Sequence, residues 1–299
     1  MIATIGFFDG VHQGHQYLLR NLVGLARAKG CSSMVITFAE HPRRVLQKEY
    51  IPQLLTTNAE KEAYIKQTGV DKVVFLDFTA EFAQLSARQF MQLYLKERYG
   101  IKKLLVGYDH HFGNNQHESF EDYKRYGQEL DIDVVLCEGF KVEDLNVSST
   151  VVRKLLHSGN VAGAKKCLGR PYALTGTVVE GRKMGRKLGF PTANLHIENP
   201  FKLIPSGGVY AVRAEIEGKS HAAVLNIGNR PTLDNGQDIS IEAHIFNFDA
   251  QIYHTTITLH FITRLREEQC FATLDDLKQQ IKRDCEMAQR ILFDNEPIE

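Results

Sequence analysis

"IATIGFFDGVHQGHQYLLRNLVGLARAKG", residues Ile2 to Gly30, changes its periodicity within a few residues. "IATIGFF" is apolar and β-prone and reads as a strand. "HQYLLRNLVGLARAKG" reads as a helix that Gly30 ends. Gly10, Gly14 and two histidines, His12 and His15, crowd the bend between them. A helix start offers free backbone N–H groups and a partial positive charge, which makes it a ready anion site with phosphate as its usual occupant. Three residues apart near a helix start, His12 and His15 can face one side and donate to phosphoryl oxygens. A helix cap or a satisfied polar side chain is the plainer reading of either histidine alone.

The same alternation continues to about residue 170. "SMVITF" (33–38), "KVVFLDF" (72–78), "KKLLVGY" (102–108) and "DIDVVLC" (131–137) are short apolar runs. Helical stretches stand between them, among them Ala59 to Thr68 and Ala87 to Arg98. Short apolar strands separated by helices predict a Rossmann-like parallel sheet covered on both faces, with ligands at the carboxyl ends of its strands. "HSGN" (157–160) and "GRP" (169–171) are turn signals near a boundary, which divides the chain into residues 1–170 and 171–299. From Tyr172 to Arg264 the segments become short and β-rich: "ALTGTVVEG", "GVYAVRAEIEG", "HAAVLNIG", "DISIEAHIF", "TTITLHFI". That spacing predicts a small antiparallel β-barrel, closed by an amphipathic helix over Leu274 to Leu292.

Totals exclude several classes. The 299 residues are too many for one ordinary core and fit two domains. Lys plus Arg and Asp plus Glu are 36 each, so the chain lacks the basic excess of a general nucleic-acid binder. No apolar run reaches membrane-spanning length, and the first residues lack the basic and apolar regions of a signal peptide. The five cysteines are scattered without a C-x-x-C pair, which fits a reducing cytoplasm. "DHHFGNNQH" (109–117) offers His110, His111 and His117, yet no closed ligand set for zinc is evident there. "GKS" (218–220) is no phosphate loop, because Arg213 stands where the first glycine would be needed; it reads as a hairpin turn.

The second half has its own constellation. "GRKMGRKLGFPTANL" (181–195) gathers glycines and cations before Pro-Thr-x-Asn, which suits a phosphate chain. Thr192 and Asn194 share one face of an extended stretch and offer oxygen ligands to Mg²⁺. In "DISIEAHIF" the residues Ile239, Ile241, Ala243 and Ile245 form one face, and Glu242 lies on the other with Ser240, His244 and Phe246. Solvent exposure is the commoner fate of such a glutamate; a general base is the functional alternative.

These motifs together resemble the bacterial bifunctional riboflavin kinase/FMN adenylyltransferase (FAD synthetase) family. "GFFDGVHQGH" is similar to the H-x-G-H motif of the nucleotidyltransferase superfamily. "TFAEHPRRVL" (37–46), "VGYDHHFG" (106–113) and "VSSTVVRKLLHSGNVAGAKKCLGRPY" (147–172) resemble the family's following segments. "GFPTAN", "LNIGNRPT" (225–232) and "RLREEQCF" (264–271) resemble its riboflavin kinase motifs. The resemblance covers practically the whole chain.

What it implies is specific. Riboflavin would be phosphorylated by Mg·ATP to FMN, and FMN adenylylated by ATP to FAD and pyrophosphate. Nucleotide contacts would come from Gly6, Phe8, Asp9, Gly10 and Gly14 around His12 and His15, with Asp109, Ser148, Ser149, Thr150 and the phosphate clamp Arg153. In the second half, Gly181, Arg186, Gly189 and Asn226 would line the nucleotide and flavin sites, with Arg264 and Glu267 bordering the flavin. Thr192 and Asn194 would hold Mg²⁺, and Glu242 would take the proton of the ribityl 5′-hydroxyl. His254 stands where the family mostly has Gly, and Met1 stands nearly on the first strand, where the family usually has a short preceding segment. Riboflavin, FMN and ATP are then the partners of a cytoplasmic enzyme that is a monomer or a weak homo-oligomer, with neither nucleic acid nor membrane involved. Its rivals are an enzyme with one active half and a flavin- or nucleotide-binding regulatory module.

Overall fold

The computed structural model describes the chain except for residues 48, 109–110, 116–117, 139–140, 143–144, 182–183, 232–236 and 294–299. The chain divides into two compact units, Met1–Ser149 and Thr150–Glu299.

The first unit is built on five parallel strands: β1 (Ile2–Ile5), β2 (Ser33–Phe38), β3 (Lys72–Leu76), β4 (Lys103–Gly107) and β5 (Asp133–Cys137). Their order is β3-β2-β1-β4-β5. The chain therefore winds outward from β1 in both directions, and the crevice beside β1 is the switch point where such sheets bind ligands. Both sheet faces are covered. One carries the helix Gln13–Ala28 through Leu19, Leu22, Val23 and Ala26; the other carries Phe90, Met91, Leu95 and Tyr123. Full burial of a side chain such as Leu19 or Leu22 contributes about 1.5–3 kcal/mol. The expected helix over Ala87 to Arg98 is α-helical at Ala87–Phe90 and then continues as a π-helix over Met91–Arg98. A two-stranded ribbon, β6 (Lys141–Val142) with β7 (Leu145–Asn146), completes the unit's strands among the described residues.

In the second unit six strands close a barrel in the order β10-β11-β12-β9-β8-β13. They are β8 (Ala173–Val179), β9 (Ala193–His196), β10 (Gly208–Ile216), β11 (Lys219–Pro231), β12 (Gln237–Ile245) and β13 (Thr256–Arg266). Of residues 218–220, Gly218 completes a two-residue hairpin turn with Glu217, φ 77° and 50°, and Lys219 and Ser220 begin β11. His254 also adopts a left-handed conformation, φ 65°. The terminal helix Leu274–Phe293 packs Cys285, Ala288 and Leu292 onto Val209, Ala211, Val224 and Phe246 of the barrel. Contacts also join the helices Ser149–His157 and Val161–Leu168 to this unit: Ser206 N donates to the Leu156 carbonyl, and the Arg264 side chain covers Gly159.

Candidate active sites

The bend after β1 is tightly wound. Gly10 has φ 80°, a conformation that suits glycine, but Phe8 (φ 51°) and the β-branched Val11 (φ 39°) share the left-handed region. Each such residue costs about 1–2 kcal/mol, so surrounding contacts must enforce the shape. Asp9 supplies several of them. Its buried carboxylate accepts from the backbone N–H groups of Leu55 and Thr56 at 3.0 Å and from the Thr56 hydroxyl at 3.2 Å. Thr56 Oγ1 in turn accepts from Gly10 N at 3.0 Å. Asp9, expected at the nucleotide, thus turns its carboxylate onto the backbone of a neighbouring loop. Gly6 N donates to the Ile36 carbonyl, and Phe8 is core, with its ring against the site of a Gly6 Cβ.

His12 caps the helix Gln13–Ala28: its Nδ1 accepts from His15 N–H at 3.3 Å. Because Nδ1 is the acceptor, the ring proton of neutral His12 sits on Nε2, which is then a donor. The two imidazoles stack with centroids 3.6 Å apart and planes 19° from parallel, and the Phe8 ring meets His15 edge-on. The structure therefore brings the pair onto one side of the helix start, and His12 is cap and cleft residue at once. Both line a small cavity with Gly14, Gly107, Glu138 and Ser148, at the carboxyl ends of β1, β4 and β5. Ser149 Oγ donates to the Asp9 carbonyl at 2.9 Å. Thr150 and Arg153 fall in the second unit, on the helix that begins at Ser149, and Asp109 lies outside the described residues. Cys137 also lines the cavity, where burial pushes its thiol above the ordinary range.

A second cavity, about 230 Å³, opens beside β1 on its other side. Phe7, Phe38, Phe78, Phe82, Phe90 and Phe112 give it an aromatic lining. Sequence reading missed this set; its members come from the ends of three strands and from three later segments, and no local pattern links them.

In the barrel, pairing register assembles the site. Asn226 on β11 stands opposite Glu242 on β12, and Glu242 stands opposite Asn194 on β9. Directly paired residues share a face, so these three side chains form a row across the wall. Thr192, two residues before Asn194, reaches the same row: its hydroxyl donates to Glu242 Oε2 at 3.5 Å. Glu242 is half-buried rather than solvated, because the face opposite the aliphatic stripe is roofed by the terminal helix. The donor set of hydroxyl, amide oxygen and carboxylate fits a hard divalent cation.

Two cavities meet at Thr192. One, about 290 Å³, lies between barrel and terminal helix and is lined by Phe190, Asn226, Glu242, Arg266, Phe271 and Ile281. The other, about 440 Å³, is lined by Arg186 and the loop from Phe248 to Tyr253. Gly181 admits Asn194 at close range: a Cβ there would collide with the Asn194 side-chain amide. Gly189 follows the helix Met184–Leu188, its N–H on the Arg186 carbonyl. Arg264 and Glu267, expected at the flavin, do not line either of these two cavities. Arg264 donates to the Gly207 carbonyl and pairs with exposed Glu267 at 3.4 Å. The cause is a bulge: Val209 pairs with Arg266 and Tyr210 with Arg264, so Leu265 is extra and the alternation shifts. Arg266 and Glu268 line the cavity under the terminal helix, and Arg266 grips Asp284 of that helix at 2.8–3.0 Å.

A nucleotidyltransferase-type sheet and a kinase-type barrel in one chain define a two-module transferase. A family model described as FAD synthetase matches residues 1–151, and one described as riboflavin kinase matches residues 168–292. Relatives named bifunctional riboflavin kinase/FMN adenylyltransferase include those of Pseudomonas fluorescens, 37% identical over 97% of this chain and 92% of the relative, and of Escherichia coli K12, 37% over 98% and 92%. That of Bacillus subtilis is 33% identical over 97% of this chain and 92% of its own length. The chain belongs to the bifunctional riboflavin kinase/FMN adenylyltransferase family. Its fold also matches the crystal structure of a macrolide-efflux protein from Streptococcus pneumoniae, with a TM-score of 0.89 and 34% identity over 96% of this chain and 93% of that one. Among the described residues no helix is long and apolar enough to cross a membrane.

Proposed function

We propose that the barrel unit transfers the γ-phosphoryl group of ATP to riboflavin, and that the parallel-sheet unit then joins FMN to the AMP moiety of a second ATP. The observation that carries the first half is Thr192, which borders both barrel cavities beside the Glu242 carboxylate. The flavin takes the apolar cavity under the terminal helix and ATP the cavity bearing Arg186. Glu242 accepts the proton of the 5′-hydroxyl as its oxygen bonds to the γ-phosphorus and the bond to ADP breaks. Thr192 and Asn194 would hold Mg²⁺, which when bound neutralises charge on the phosphates.

In the first unit the nucleophile is the FMN phosphate, already an anion, so no base is required. A phosphate oxygen bonds to the α-phosphorus of ATP and the bond to pyrophosphate breaks. His12 Nε2–H, His15 and the helix N-terminus meet charge developing on the phosphates, and Ser148 borders the same cavity. The aromatic cavity beside Phe7 suits the planar flavin ring. We set the functional boundary at residue 170. Five cysteines without a disulfide agree with a reducing cytoplasm.

Chromatography of products from riboflavin plus Mg·ATP tests the reading. FMN followed by FAD is expected; FMN alone would confine the chain to kinase activity, and neither product would contradict both assignments.

A further inference from the structure

Lys61 is a buried cation that neither reaction uses. It lies early in the helix Asn58–Gln67 and is 2% exposed. Its Nζ donates to the Phe38 carbonyl at 2.9 Å and to the Phe7 carbonyl at 3.3 Å, and it sits 4.3 Å from the centroid of the Phe7 ring. A lysine buried this way is unfavourable unless fixed groups compensate. Burial lowers Lys61 to about 8, while Asp9, itself 3% exposed, favours the charged form.

The two charges close a circuit. Asp9 holds the Leu55 and Thr56 amides, and Thr57 next to them caps the Asn58–Gln67 helix through a reciprocal pair with Glu60. From that helix Lys61 returns to the carbonyl of Phe7, two residues before Asp9. Inside the circuit lies the left-handed residue Phe8; the chain leaving it runs through Gly10, whose N–H donates to Thr56 Oγ1, and Val11 to His12. Phe7 and Phe38, the two residues whose carbonyls Lys61 holds, both line the aromatic cavity.

We propose that Asp9 and Lys61 form a buried brace that positions the adenylyl-transfer site, locking the bend that presents His12 and His15 and the aromatic wall beside it. This rests on the assignment of adenylyl transfer to the first unit. Neither residue is among those lining the cavities described above, so both are positioning residues.

The test compares full-length wild type, Lys61→Met, Asp9→Asn and the double variant. FAD formation from FMN, riboflavin phosphorylation and the imidazole NMR signals of His12 and His15 are measured on each. Each single substitution is expected to lower kcat for FAD formation about tenfold or more with KM for FMN and ATP within about threefold. Riboflavin phosphorylation stays unchanged, and the His12 and His15 signals move. The double variant, which carries neither charge, recovers most of the loss, the mark of coupled residues. Losses that simply multiply in the double variant, or singles with wild-type kcat and unmoved histidine signals, overturn the brace and leave the assigned reaction standing. A wild type that makes no FAD overturns the assigned reaction, and the brace is then judged by whether the histidine signals move in the singles and return in the double. If Lys61→Met fails to fold while the double variant folds, the same coupling appears as stability and supports the brace. If neither folds, Asp9→Asn decides: unchanged kcat with unmoved signals overturns it.

Discussion

At the bend of the parallel sheet, two stacked imidazoles and a helix N-terminus face the cavity; on the barrel wall, a carboxylate stands in a row with two amides and beside a hydroxyl. The difference follows the nucleophile each proposed reaction needs. An alcohol must lose a proton as it attacks, so the barrel unit sets a carboxylate beside the phosphate route. A phosphate attacks as an anion, so the first unit can do without a base, and its nearest acid in the motif, Asp9, is turned onto backbone amides. Both sites are reached from short turns next to strand ends, but the first is held by strained backbone and the second by strand register.

Substitutions should separate the two regions. The largest effect is expected of Glu242→Gln, which keeps the shape and removes the base: FMN formation falls about 10²–10⁴-fold, while FAD formation from FMN is unchanged. His15→Ala should reverse the pattern, lowering FAD formation about 10²-fold, the order of one lost charge-stabilising donor, and sparing the kinase in the same assay.

Lys61 allows a comparison by pH. Its value in the folded chain is about 8 against the ordinary 10.5, so between those values the unfolded chain binds more protons. The cost of the buried charge is fully present below about pH 8 and is relieved as pH rises. Denaturant unfolding of the first unit should therefore show stability rising over that window by up to about 3 kcal/mol, and Lys61→Met should flatten the rise. The smallest effect belongs to the barrel turn at His254, where φ is 65°. His254→Gly should raise the melting temperature of the second unit through about 1 kcal/mol of relieved strain, leaving FAD formation from FMN untouched.

Much of this was legible in the sequence. The apolar runs and the glycine-rich bend announce the sheet, and alternation in "DISIEAHIF" separates Glu242 from the aliphatic stripe. The structure places Ile241, Ala243 and Ile245 in the core, with Ile239 of the same stripe exposed. Glu242 is far from Thr192 and Asn194 in sequence and comes near them in space through the β9–β12 register. The bulge at Leu265 was not legible, because one extra residue in a strand leaves no mark in composition, and Arg266 rather than Arg264 lines the cavity under the terminal helix. Lys61 was likewise hidden: a lysine on a helix reads as solvated, and its burial depends on carbonyls at the ends of two strands. The π-helical stretch after Phe90 carries the same side-chain spacing in sequence as an α-helix would.

If each unit catalyses its own step, substitution separates the two sites. The most direct measurement supplies Mg·ATP to Glu242→Gln with FMN, and to His15→Ala with riboflavin, and separates the flavins by chromatography. FAD from the first and FMN without FAD from the second is the predicted result. No FAD from the first, or no FMN from the second, would contradict it.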